Sequence, residues 1–235
     1  MQSNIQEFFD DFSDHYNQEA FNDSLGLGYL DRIETQFISE AVSNVKIKSL
    51  LEIGFGAGRN LSLFKGRKIK MFGVDISGKM LSQTKRGFRG EDVTLQQLDA
   101  QTGLPYSNSR FDLIICIRVL KYMKKWPFVI SEISRCLKRD GLTIIEVPNL
   151  FSIHFFGLLF ANYFLFFIPN FLSVIEKNHL KVVSIQKGAL WPFLVYKRTN
   201  NKKMLHFLME FDRIINKILP VGIFSRNYVF LLQKY

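Results

Sequence analysis

Residues 50–60, Leu50-Leu51-Glu52-Ile53-Gly54-Phe55-Gly56-Ala57-Gly58-Arg59-Asn60, decide how this chain folds. A short apolar run of strand-like composition passes directly into three alternating glycines. Glycine is needed where the main chain turns sharply and where a ligand must reach the backbone without a Cβ in the way. The residues after the turn predict a helix start, whose free N–H groups and positive dipole end would face the turn. This pattern predicts a site for a nucleotide-like cofactor at the carboxyl edge of a parallel sheet. The spacing narrows the cofactor. A dinucleotide fingerprint puts its third glycine three residues after the second. Here the third glycine comes two residues after the second and Arg59 holds the dinucleotide position, so a pyrophosphate cradle is disfavoured.

Three later stretches extend the pattern. Ile69 to Asp75 (IKMFGVD) reads as a second strand ending in an acid, 21 residues after Gly54. That spacing fits a carboxylate that accepts hydrogen bonds from two ribose hydroxyls. Val93 to Ala100 (VTLQQLDA) reads as a third strand ending at Asp99, and Phe111 to Ile117 (FDLIICI) as a fourth, followed by Arg118-Val119-Leu120-Lys121-Tyr122-Met123. Taken singly, Asp75 and Asp99 are also ordinary turn formers at strand ends. Asp112, at a strand start, reads as structural.

The E-x-G-x-G-x-G turn, the acids at 75 and 99 and the F-D stretch at 111 together resemble the class I S-adenosylmethionine-dependent methyltransferases. The resemblance implies an α/β fold, a doubly wound, seven-stranded, mainly parallel Rossmann-like sheet. It implies S-adenosyl-L-methionine as cofactor and S-adenosyl-L-homocysteine as product. On this reading Gly54, Phe55, Gly56, Gly58 and Asn60 form the cofactor turn, with Glu52 toward the methionine end. Asp75 would take the ribose, Ile76 and Met80 the adenine face, Asp99 the adenine amino group, and the Ala100 N–H the ring. Arg118 follows the fourth strand in the same site. Asp14-His15-Tyr16-Asn17 resembles the family's lid motif, with Tyr16 touching the cofactor. Two departures stand out: Lys121-Tyr122 replaces the usual histidine after strand four, and Lys138-Arg139-Asp140-Gly141 lacks the proline and one glycine of the loop before strand five.

The whole chain of 235 residues suits one domain with ample core. We divide it into an N-terminal helical lid (1–45), a cofactor-binding core (46–148), an apolar insertion (149–180) and C-terminal strands with a helix (181–235). Further elements follow from periodicity: helices near 29–44, 125–137, 171–178 and 204–219, and strands at 142–147, 180–186 and 227–233, the last pair an antiparallel hairpin by resemblance. Cys116 and Cys136 fall at apolar positions and read as buried small hydrophobes, and no Cys/His cluster has zinc spacing, so no metal is expected. The polar start lacks the basic and apolar regions of a secretory signal, which points to the cytoplasm. A net charge of +10 suggests an anionic partner, either nucleic acid or a membrane surface. No RNA-binding signature is present, which makes nucleic acid the weaker choice.

Leu150 to Leu172 (LFSIHFFGLLFANYFLFFIPNFL) contains no Asp, Glu, Lys or Arg. Its length would span a bilayer, but a single crossing would separate the last two strands from the rest of their sheet. We read it as an apolar lid over the pocket, with peripheral membrane contact compatible with that role. Methyl transfer asks chiefly for alignment and exclusion of water, and an oxygen acceptor adds a base. His15, Tyr16, Tyr122 and His154 are the candidates to flank the methyl group. The expected activity is methylation of oxygen or carbon on a small hydrophobic or lipid-like molecule. The alternatives are a polar metabolite or sugar as acceptor, or a non-catalytic cofactor-binding scaffold.

Overall fold

The computed structural model describes residues 2–14, 16, 23–152, 164–191, 193–218 and 225–235. Its elements are α1 (Gln2–Phe12), α2 (Leu25–Ala41), β1 (Ser49–Ile53), β2 (Lys70–Asp75), α3 (Gly78–Gly87), β3 (Val93–Gln97), β4 (Phe111–Cys116), α4 (Trp126–Cys136), β5 (Leu137–Pro148), α5 (Ile168–Lys177), β6 (Leu180–Lys187), α6 (Phe193–Lys197), α7 (Lys202–Ile218) and β7 (Asn227–Lys234). They build a seven-stranded sheet in the order β3-β2-β1-β4-β5-β7-β6. β7 runs antiparallel to both of its neighbours, and the β1–β2, β1–β4, β2–β3 and β4–β5 pairs are parallel.

Side chains alternate across the sheet, and both faces are covered. Leu51, Ile53, Ile114, Cys116 and Ile145 join Val129, Ile130 and Ile133 of α4 and Phe171 and Ile175 of α5 on one face. Leu50, Leu113, Ile115 and Ile144 join Ile38 and Val42 on the other. Two-sided burial is why the central strands read as unbroken apolar runs. Each fully buried side chain of this kind contributes about 1.5–3 kcal/mol. Cys116 and Cys136 are buried free thiols, and burial pushes Cys116 up to about 12. Asp112 accepts from the Lys48 and Ser49 N–H groups at 2.9 Å each and holds Lys138 Nζ at 2.6 Å, which pins the start of β1.

The structure corrects three boundaries. The glycine turn leads into a single 3-10 turn, Leu61–Phe64, not a long helix. Gly66, at φ +71, follows too soon for a second turn. α2 begins at Leu25 because the Ser24 hydroxyl accepts from the Leu27 N–H, a side-chain N-cap that starts the helix four residues before Tyr29. Lys138 to Gly141, expected as a loop, lies inside β5, which absorbs it through a register shift against β4 with Asp140 at φ +62. Of the apolar run 150–172, the structure describes residues 150–152 and 164–172. Phe166 and Phe171 are 3% and 0% exposed and pack at a tilt against Trp126, so these two side chains belong to the core. Residues 153–163, including His154, lie outside the described residues. Among the described residues, no helix is long and apolar enough to cross a membrane.

Candidate cofactor and active site

Strand β1 delivers the chain to the glycine turn at the carboxyl edge of the sheet. Gly54, Gly56 and Gly58 all have positive φ, at +70, +50 and +75. Gly54 is the most constrained. Its N–H donates to the Val74 carbonyl at 2.7 Å, and an added Cβ would sit 2.1 Å from Val119 Cγ2. A Cβ on Gly58 would meet Thr84 and Phe88 at 2.7 Å, so that glycine lets α3 pack against the turn. A Cβ on Gly56 would instead point at the Tyr16 ring, 3.5 Å away.

The turn floors a cavity of about 670 Å³, counted with its open mouth. Asp75, 8% exposed, stands at its wall and holds the turn together. One carboxylate oxygen accepts from the Gly56 N–H at 2.8 Å, the other from the Ser77 N–H at 2.9 Å. Burial raises its pKa above the ordinary value, against the pull of these hydrogen bonds. Asp99 caps the short turn Ala100–Thr102 by accepting from the Gln101 N–H at 2.9 Å. Ile5, Phe9 and Tyr16 close the cavity from the N-terminal side. Asp10 fastens this cover: it accepts from Ser77 Oγ at 2.5 Å and from the Lys79 N–H at 3.2 Å, at the start of α3. An anionic side chain at a helix N-terminus is favoured by the free N–H groups there. Partial burial acts to raise the Asp10 pKa, but the hydrogen bonds from Ser77 and Lys79 outweigh it and hold it low.

Of the residues read from sequence, Tyr16, Gly54, Gly56, Asp75, Ile76, Met80, Asp99, Ala100, Arg118 and Tyr122 line this one cavity. Phe55, Gly58, Asn60 and Glu52 do not. Phe55 is buried in the core beneath the turn. Glu52, 2% exposed, accepts from Asn60 Nδ2 at 2.8 Å and from the Leu61 N–H at 3.2 Å, and so braces the turn from behind. His15 lies outside the described residues, as His154 does.

Burial first, with a small contribution from Asp75, raises Glu52 from 4.5 to about 8, against the opposing pull of Asn60 and Arg59. An acid whose pKa is raised by folding binds its proton more tightly in the native state. Native stability should therefore be greatest below pH 4.5 on this account and fall as pH rises toward about 8. Urea denaturation across that window is expected to show the decline, and Glu52→Gln is expected to flatten it. An unchanged slope in the variant would refute the assignment.

The charge network that supports the site emerges only in the packed chain. Glu34 of α2 is 6% exposed. Its two oxygens accept from Arg59 Nη2 and Arg118 Nη2, each at 2.7 Å, and Asp31 pairs with the other nitrogen of Arg59. Burial acts against the Glu34 charge, but Arg118 and Arg59 overcome it and hold the carboxyl at about 2. Arg118 itself sits at φ +63, where its N–H donates to Glu146 Oε2 at 2.7 Å. Lys121, at the place of the family's histidine, is half-buried, and desolvation lowers its pKa.

Comparisons with known proteins agree with this geometry. A family model for a methyltransferase domain matches residues 51–145. The chain is 27% identical over 173 residues to a demethylmenaquinone methyltransferase of Symbiobacterium thermophilum, covering 70% of this chain and 67% of that protein. It is 19% identical over 197 residues to a ubiquinone biosynthesis O-methyltransferase of Nitrosomonas europaea, covering 81% and 83%. Against an uncharacterized protein of Haemophilus influenzae, 30% identical, the chain spans 47%, about half, of the relative's length. A solved geranyl diphosphate methyltransferase, in complex with GPP and sinefungin, superposes with TM-score 0.65 at 16% identity, covering 88% of this chain and 83% of that one. A fold alone would not name a chemistry, but the matched family model runs through the glycine turn, Asp75, Asp99 and the end of β4. Residues 51–145 therefore carry a match to a methyltransferase domain, the kind of domain the S-adenosylmethionine-binding turn resembles.

Proposed function

We propose that the chain transfers a methyl group from S-adenosylmethionine to oxygen or carbon of a small hydrophobic or lipid-like acceptor. The observation that carries this reading is the apolar cover of the cavity. Ile5, Phe9, Val119 and Met123 face the space beside the glycine turn, and a closed apolar wall excludes water from a displacement step. Two curated relatives named for menaquinone and ubiquinone chemistry support it.

The residues present suit the cofactor. The Gly56 Cβ direction is open but for the Tyr16 ring, and two buried or half-buried carboxylates stand on the wall. In this reading Asp75 takes the ribose hydroxyls, Asp99 and the Ala100 N–H take adenine, and Ile76 and Met80 flank the ring. The bound cofactor supplies an electrophilic methyl group. The chain's own part is to align the acceptor, to exclude water through Ile5, Phe9 and Tyr16, and to hold Arg118 and Tyr122 at the wall. Tyr16, whose pKa burial raises, stays a neutral hydroxyl and acts as a donor.

A polar acceptor is the second reading, and one observation favours it. A second cavity shares Arg118 with the first and is also lined by Gln186, Arg226 and Asn227. A location in the cytoplasm, with membrane contact through 150–172, completes the proposal.

The test is transfer of labelled methyl from S-adenosylmethionine into a host extract, followed by separation into organic, aqueous and macromolecular fractions. Label is expected in the organic phase and is expected to disappear with Asp75→Ala, whose charge-assisted ribose contacts are gone. Label confined to the aqueous phase would replace this reading with the polar one. No label, with cofactor binding intact, would favour a non-catalytic scaffold. Label undiminished by Asp75→Ala would remove Asp75 from the site.

A further inference from the structure

The longer of the two helices between β6 and β7, α7, carries more apolar surface than the fold uses. α7 turns Leu208 (2% exposed) and Asp212 (4% exposed) inward. Asp212 accepts there from the Tyr196 hydroxyl and from the Leu190 N–H. At 100° per residue that fixes the buried face. Met204, Phe207, Phe211 and Ile214 fall in a neighbouring arc at spacings of three and four, and are 51, 56, 37 and 46% exposed. The Phe207 and Phe211 rings lie 6.3 Å apart, and Trp191 packs on Phe211 at 5.0 Å. Single exposed apolar residues are ordinary, but a contiguous stripe of four on one helix marks an interaction surface.

Charge selects the partner. The remaining arc of α7 carries Lys202, Lys203, His206 and Arg213, opposed by Glu210 alone, which pairs with Arg213 at 2.6 Å. Residues 197–203 hold Lys197, Arg198, Lys202 and Lys203 with no acid, in a chain of net charge +10. A helix with bulky apolar residues on one side and lysine and arginine on the other has the chemistry of a bilayer interface. A second copy of the chain would bring the same cations against each other.

We propose that α7 lies in the headgroup region of an anionic membrane, with Met204, Phe207, Phe211 and Ile214 entering the acyl boundary and Lys202 and Lys203 meeting lipid phosphates. The inference goes beyond the methyltransferase reading and stands whichever acceptor is used.

The experiment is co-sedimentation of the full chain with vesicles of phosphatidylcholine alone and of phosphatidylcholine with roughly one third phosphatidylglycerol. Binding is expected to the anionic vesicles and to weaken as salt is raised. Lys202→Glu/Lys203→Glu and Met204→Ser/Phe207→Ser are each expected to weaken it by about tenfold or more. These side chains are exposed, so the melting temperature and S-adenosylhomocysteine affinity should stay at wild-type values and report an intact fold and cofactor site. Absence of binding to anionic vesicles would overturn the proposal, as would binding that survives both double variants. A concentration-dependent dimer dissolved by Met204→Ser/Phe207→Ser would also overturn it and assign the stripe to a second copy.

Discussion

Gly54→Ala is expected to weaken S-adenosylmethionine binding by about a hundredfold or more. The residue stands at φ +70, a conformation that costs an L-residue about 1–2 kcal/mol. The added methyl would also lie 2.1 Å from Val119 Cγ2, inside any permitted contact. Overpacking of this kind costs about 1–3 kcal/mol, and here the strain is relieved only by moving the glycine turn or the segment after β4. Both line the same cavity, so the loss should fall on cofactor affinity, measured by calorimetry. Gly54→Ala/Val119→Ala removes the closest clashing atoms and should recover part of the affinity. A folded Gly54→Ala chain with unchanged affinity would place the cofactor elsewhere.

Glu34→Ala is expected to cost about 3–5 kcal/mol of stability, because it removes the buried carboxylate that two half-buried guanidiniums share. At this chain length that corresponds to a fall in melting temperature of about 10 °C. Arg59 keeps Asp31, so the loss falls chiefly on the Glu34–Arg118 contact. The pH dependence gives a second readout. Folding lowers the Glu34 pKa from 4.5 to about 2, so its contribution is complete above pH 4.5 and is lost as pH falls toward 2. The wild type should therefore lose stability over that range more steeply than Glu34→Ala. Cofactor affinity should also fall, since Arg118 lines the cavity and Arg59 follows the glycine turn. A variant that melts within a degree or two of wild type would show the network to be idle.

The parts of the site that were legible in sequence share a physical origin. Gly54, Gly56, Asp75 and Asp99 sit at strand ends, where a two-residue period breaks and a residue with special backbone or hydrogen-bonding properties must follow. Such constraints are local, so spacing exposes them. Glu52 and Asn60 obey the same motif, yet they face each other under the turn, because a strand residue's side depends on which face of the sheet the cavity opens.

The sequence by itself determined the sheet. Apolar runs of strand length, separated by glycine and acid turns, can be satisfied only by burial on both faces, and chain chirality then limits how parallel strands connect. Tertiary structure alone decided how far each connection runs and what supports the site. The 3-10 turn at Leu61–Phe64, the strand that takes in Lys138 to Gly141, the ion network of Glu34 with Arg59 and Arg118, and the outward stripe of α7 all depend on partners distant in the chain. A charge or an apolar side chain looks the same in sequence whether its partner is solvent or a residue 84 positions away. Only the packed chain, which sets the distance and the exclusion of water, tells them apart.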